Sequence, residues 1–283
     1  MKKRVKVKFK KWMHSQAAKV SFVLLVISAV LLTMASPSIK VNWSDELVAY
    51  VNNVLIGTAV GLLGIIVTIS FVQSALDKQT TKNEKVEEYK KIVRYNKYLQ
   101  ILINEYMVYY NHVVTPIDKH GIELDKGFIQ GFTLKDMSGM YYGSLLIRDG
   151  FNTPAIKKFY EVEEKLSSYL LRWNEEIDFK YTPNLEAIIN EFFAKSKELD
   201  SRGNILGALE TVAGNKKLSE TITTELTEGK VDYLTKFNNS ELQSNVMTSV
   251  VFLYYFLNVQ QECIKRLISE ISSIENELKA LSN

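Results

Sequence analysis

The chain has 283 residues, with 35 Lys and Arg against 32 Asp and Glu, 46% apolar residues and one cysteine. That length holds one or two domains with a sizeable core, and a lone cysteine excludes an internal disulfide framework or a multi-cysteine zinc site. The near-neutral charge conceals an uneven text: the first 19 positions carry eight basic residues and no acid, while residues 20–283, with 27 basic and 32 acidic side chains, carry −5.

Behind this basic tail, residues 20–76 contain three charged side chains, Lys40, Asp45 and Glu46. Val20–Ile39 is an uncharged run of 20 residues, enough at 1.5 Å per residue to span a hydrocarbon core of roughly 30 Å. Leu47–Leu76 is a second uncharged run, densest over Val54–Val72. The short link between them predicts a two-helix transmembrane hairpin over residues 20–76. Basic residues crowd both flanks (the tail, then Lys78, Lys82, Lys85, Lys90, Lys91 and Arg94), whereas the link carries only Lys40. The positive-inside rule therefore expects both termini in the cytoplasm, with the tail against anionic lipid. The rival reading is a signal peptide cleaved near Thr33-Met34-Ala35. The first run outlasts an ordinary h-region, so an uncleaved anchor is favoured.

Within the second run, Gly57, Gly61 and Gly64 fall on one helix face, the spacing by which membrane helices approach closely. Two partners fit that face: the first span of the same chain, around Ser28 and Ala29, or a second copy. Neither run holds an internal charge, which argues against a proton relay or voltage sensor.

From Asp77 to Val114 there is no Gly and no Pro. Ile92, Tyr95, Leu99, Leu102, Tyr106, Tyr109 and Val113 form one helical seam, so residues 77–116 read as a stalk continuing the second span. Residues 117–152 hold six of the thirteen glycines. This insert, with FIQGF and MYYGSLLI as brief strands or irregular packing, is either a recognition segment or a connector capping the bundle. Helices return over 153–283. Thr153-Pro154 and Thr182-Pro183 are expected to cap and open two of them, with two short helices over 200–239. Ser240 with Gln243 predicts the start of the last helix. Its seam runs Val246, Val250, Leu253, Leu257, Gln260, Ile264, Leu267, Ile271, Ile274, Leu278 and Leu281, in which ten of eleven positions are apolar. Such a heptad packs coiled-coil fashion, against the stalk of its own chain or against a copy, with Gln260 fixing register. An uncharged stretch at 242–261 reads as a buried bundle helix in preference to a third span.

Neither the phosphate-loop motif nor the nucleophile elbow is present, and no catalytic motif, cofactor or metal site is assigned. His112, Asp118, His120, Glu123 and Asp125 form the densest titratable cluster, without the spacing of a known ligand set. Cys263 reads as packing. The tail offers Phe9 and Trp12 but no recognisable module, so nucleic acid is not the expected partner.

In outline (basic tail, two-span hairpin, helical cytoplasmic region of about 200 residues) the chain resembles the two-transmembrane effectors of bacterial anti-phage systems, abortive-infection membrane proteins among them. The resemblance is architectural and transfers no functional residues. It implies an all-α membrane protein whose cytoplasmic part responds to a protein or nucleotide trigger, oligomerises and disrupts the inner membrane. A membrane-tethered scaffold, recruiting a cytoplasmic partner through the 117–152 insert, is the alternative.

Overall fold

A computed structural model describes residues 16–35, 43–116, 119, 127–143, 153–210, 212–243 and 245–282. Among these the chain is helical: α1 (Gln16–Met34), α2 (Asp45–Val113), a 3-10 turn (Lys135–Gly139), α3 (Ala155–Glu176), α4 (Pro183–Glu198), α5 (Arg202–Gly207), α6 (Ala213–Glu228), α7 (Tyr233–Asn238) and α8 (Val246–Ser282). The chain divides into two compact units, Met1–Glu84 and Lys85–Asn283.

In the first unit, α2 begins after Ser44, whose carbonyl accepts from the N–H groups of Leu47 and Val48 at 3.0 Å. Asp45 and Glu46 in its first turn complement the helix dipole. The hydroxyls of Thr58 and Thr68 donate to the i−4 carbonyls of Val54 and Gly64, which satisfies them without water. On α1, Ser21, Ser28 and Ala35, seven residues apart, are buried. Ser28 Oγ donates to the Ala59 carbonyl of α2 at 3.0 Å, and Ala59 is fully covered.

The second unit is a bundle around α2 from Lys85 onward. The expected seam is buried at Ile92, Leu99, Leu102, Tyr106, Tyr109 and Val113. Both α3 and α8 run antiparallel to this part of α2. Tyr169 donates to the Tyr95 carbonyl at 3.0 Å and Lys165 meets Glu105 at 3.4 Å. On α8, Gln260 meets Tyr106, Glu275 accepts from Asn96 at 2.9 Å, and Glu277 pairs with Lys85. Leu257, Gln260, Ile264, Leu267 and Ile271 of α8 are all buried within this chain. The 242–261 stretch likewise lies in this core, with Val250, Val251, Leu253 and Leu257 buried. Large rings fill the centre, with Phe159 5.3 Å from Tyr106 and 6.4 Å from Phe256 between centroids. Burying each contributes about 1.5–3 kcal/mol.

Several local expectations are corrected. Pro154 is the N-cap of α3, not its first helical residue, and no side chain caps there. Pro183 does open α4, but Thr182 donates its hydroxyl to Glu88 at 2.7 Å and does not cap the helix. Residues 200–239 hold three helices, including the 16-residue α6. The last helix starts at Val246, past Ser240, whose φ of +58° breaks the helix there. The cap is Asn245, whose Oδ1 accepts from Thr248 N at 3.1 Å while Thr248 Oγ1 accepts from Asn245 N at 3.3 Å. The described part of the insert holds no strand, only one bridge between Gly143 and Pro154. Phe132, Met137 and Met140 are buried there, so this part caps the bundle.

Candidate functional site: an exposed apolar helix and a buried polar network

In the first unit the notable feature is uncovered apolar surface. The most apolar stretch of α2 is only 6% buried and is long and apolar enough to cross a membrane. Val54, Ile56, Val60, Ile65, Val67 and Phe71 are all exposed. An exposed apolar surface of this extent is a mark of membrane or protein interaction faces. The apolar part of α1 is shorter, Lys19–Met34, and exposes Phe22, Val23, Val26 and Val30.

Gly57, Gly61 and Gly64 stand on this open surface. A methyl group added at any of them would meet nothing within 4 Å. At 100° per residue, Ala59 points roughly opposite to the glycines. The contact with α1 therefore uses Ala59 and Ser28, and among the described residues nothing occupies the glycine face. Of the two partners weighed for that face, α1 is not in place on it.

In the second unit four elements meet on Gln260, and a fifth joins the network through Glu163. Its Nε2 donates to Glu163 Oε1 at 2.9 Å and to Ser196 Oγ at 2.8 Å. Its Oε1 accepts from the Tyr106 hydroxyl at 2.7 Å. Glu163, 3% exposed on α3, also accepts from Ser167 Oγ at 2.8 Å and from Arg202 of α5 at 2.5 Å. The Arg202 guanidinium lies 4.9 Å above the ring of Tyr160. Burial holds the Tyr106 phenol well above its ordinary pKa, keeping it a neutral donor. Every polar atom of the Gln260 amide is used, and the Glu163 charge is matched. Sliding α8 by one heptad would set Leu253 or Leu267 against that carboxylate, at the cost of an unpaired buried charge. Gln260, at a heptad core position, is thus fully hydrogen-bonded within the bundle. Glu163 and Arg202 were not singled out from sequence, although Glu163 is one turn from Phe159 in an apolar seam, where a carboxylate needs a partner.

The titratable cluster dissolves as far as it is described. His112 is 1% exposed and its Nδ1 lies 2.8 Å from the Val108 carbonyl of its own helix. Asp118, His120, Glu123 and Asp125 lie outside the described residues. Among those described, no group of three or more His, Cys, Asp or Glu could hold a metal. Cys263 is buried, and burial pushes its thiol up to about 11, which suits packing and not nucleophilic attack. A shallow groove of about 610 Å³ runs between α2 and α3, lined by Tyr98, Glu164, Lys165, Tyr169 and Arg172. No family, curated protein or solved structure matches this chain.

Proposed function

We propose that this protein is an inner-membrane effector of bacterial phage defence. In this reading α1 and the first part of α2 cross the bilayer as a hairpin with both termini cytoplasmic. The helical region holds the spans in check until a cytoplasmic protein or nucleotide trigger releases them. The released spans then associate with other copies and disrupt the bilayer, with no catalytic step. The observation that carries this reading is the continuous apolar exposure of α2 from Val54 to Phe71, which a bilayer would cover. The open glycine face supplies a surface for a second copy, and the buried α8 seam supplies an element with two alternative pairings. The assignment to phage defence rests on the architectural resemblance.

The test is membrane potential and dye entry in bacteria after induced expression, with and without phage. Depolarisation that precedes loss of viability, and that vanishes when residues 20–76 are replaced by an inert hairpin, is the expected result. An intact potential under both conditions would remove the effector reading.

A second reading is a membrane-tethered scaffold. It is favoured by the groove beside Tyr98, a ring that is 52% exposed on the bundle surface. It expects partner capture to survive deletion of the spans.

A further inference from the structure

The Ser28–Ala59 bond sets the register of α1 against α2. In the hairpin proposed above the two helices run antiparallel, so a residue nine positions before Ser28 is level with one nine positions after Ala59. Lys19 therefore sits at the level of Thr68. Yet α2 remains uncharged beyond that level until Asp77, and Phe71, Val72 and Leu76 there are 75%, 48% and 56% exposed.

The depth of Lys19 follows from the span reading proposed above, on which this inference rests. Counting a hydrocarbon thickness of roughly 30 Å inward from Val54, the first residue after Asn53, brings the cytoplasmic edge near Gln73. Lys19 then lies about 7–8 Å inside that edge, and about 13 Å inside the level of Asp77. Its stem, about 6 Å long, brings the ammonium only to the inner limit of the headgroups. Among the described residues of the first unit no carboxylate lies at that level. Neither α1 nor α2 between Glu46 and Asp77 carries a carboxylate, and the basic tail has none. The Thr68 hydroxyl spends its proton on Gly64 of its own helix. A lysine at this depth is costly unless an anion comes to it.

We infer that Lys19 binds the phosphate of a cytoplasmic-leaflet phospholipid, drawn inward from its ordinary depth beside α1. The leaflet is thereby thinned next to the first span before any trigger acts, and this is where the bilayer is weakest.

The probe is phosphatidylglycerol, titrated onto the full chain in detergent and counted by native mass spectrometry, with excess inorganic phosphate present. Lys19→Leu is compared with Lys8→Leu, which removes the same charge from the tail, and with Lys19→Arg. Alkaline carbonate extraction from vesicles of phosphatidylethanolamine and phosphatidylglycerol is run on each. The expected result is about fivefold less tightly held lipid in Lys19→Leu than in Lys8→Leu, near-normal retention in Lys19→Arg, and all proteins resistant to carbonate. Equal lipid in Lys19→Leu and Lys8→Leu, or displacement of the lipid by inorganic phosphate, would overturn the inference while leaving the spans in place. Release of the unmodified chain by carbonate would overturn the span reading itself, and the inference with it.

Discussion

Gln260 and Glu163 are joined by a 2.9 Å hydrogen bond inside the bundle, between side chains that are 0% and 3% exposed. A glutamine at a heptad core position is thus satisfied by a carboxylate from another helix of the same chain. Replacing Gln260 by Leu takes away the acceptor of the Tyr106 hydroxyl and one of the two donors to Glu163 Oε1, which keeps Ser167. The expected loss is about 1–3 kcal/mol, read as a lower urea midpoint by circular dichroism. Gln260→Glu should cost more at neutral pH, because it sets two carboxylates side by side, and should recover on acidification as one takes a proton.

Arg202 supplies the positive charge that Glu163 needs, at 2.5 Å. Arg202→Met leaves that carboxylate buried without its counter-charge and is expected to lose about 3–5 kcal/mol. The double variant Glu163→Gln/Arg202→Met should lose clearly less than the sum of the single changes. An additive double-mutant cycle would show that the pair does not couple.

Gly57→Ile with Gly61→Ile should leave folding and membrane insertion unchanged, since nothing in the chain approaches either position within 4 Å. Loss of toxicity in that variant would then report a contact made outside the chain. Unchanged toxicity would remove the glycine face from the mechanism.

The Lys85 ammonium, 2.9 Å away, holds the Glu277 carboxyl below its ordinary range, and the Tyr89 hydroxyl adds to the effect. Glu277 in turn raises Lys85 above its ordinary 10.5. A depressed carboxylate contributes stability that is present above its unfolded pKa and lost as pH falls through the folded one. A raised lysine contributes stability that is present below its unfolded pKa and lost as pH rises through its folded one. The pair therefore contributes evenly from about pH 5 to pH 10 and fades outside that window. Glu277→Gln should cost less than about 1 kcal/mol, because both groups are substantially exposed. Its difference from the unmodified chain should vanish below about pH 3.

Cys263 offers a readout of bundle opening. With the thiol buried and held at about 11, maleimide labelling at neutral pH should be slow in the closed bundle. It should accelerate by orders of magnitude in urea, or with any trigger that frees α8.

The seams of α2 and α8 were legible because an apolar period persists there without Gly or Pro, from Asp77 to Val114 and again from Val246 to Leu281. Burial then followed the period except at Tyr95, Val246, Leu278 and Leu281, which are partly buried. What failed was punctuation. Ser240 and Gln243 have the spacing of a capping box, but Asn245 and Thr248 make the reciprocal bonds. Two hydroxyl and amide pairs so close together compete, and sequence alone does not rank them. Thr182 misled for a similar reason: its hydroxyl serves Glu88 on a distant helix. Glu163 was passed over because an isolated carboxylate reads as solvated surface, and the arginine that makes its burial tolerable lies 39 residues away.

The two longest helices of the bundle belong to opposite ends of the chain, and synthesis separates them in time. The inner face of α2, from Ile92 to Val113, waits for Leu253, Leu257, Ile264 and Ile271 of α8. At about 5–20 residues per second, roughly 10–40 s pass between the emergence of Glu84 and release of the last helix. During that interval the apolar run Leu47–Leu76 is already outside the ribosome while the bundle behind it is incomplete. A messenger cut short before α8 would leave that state permanent, yielding a protein with its apolar helices made and its bundle never closed.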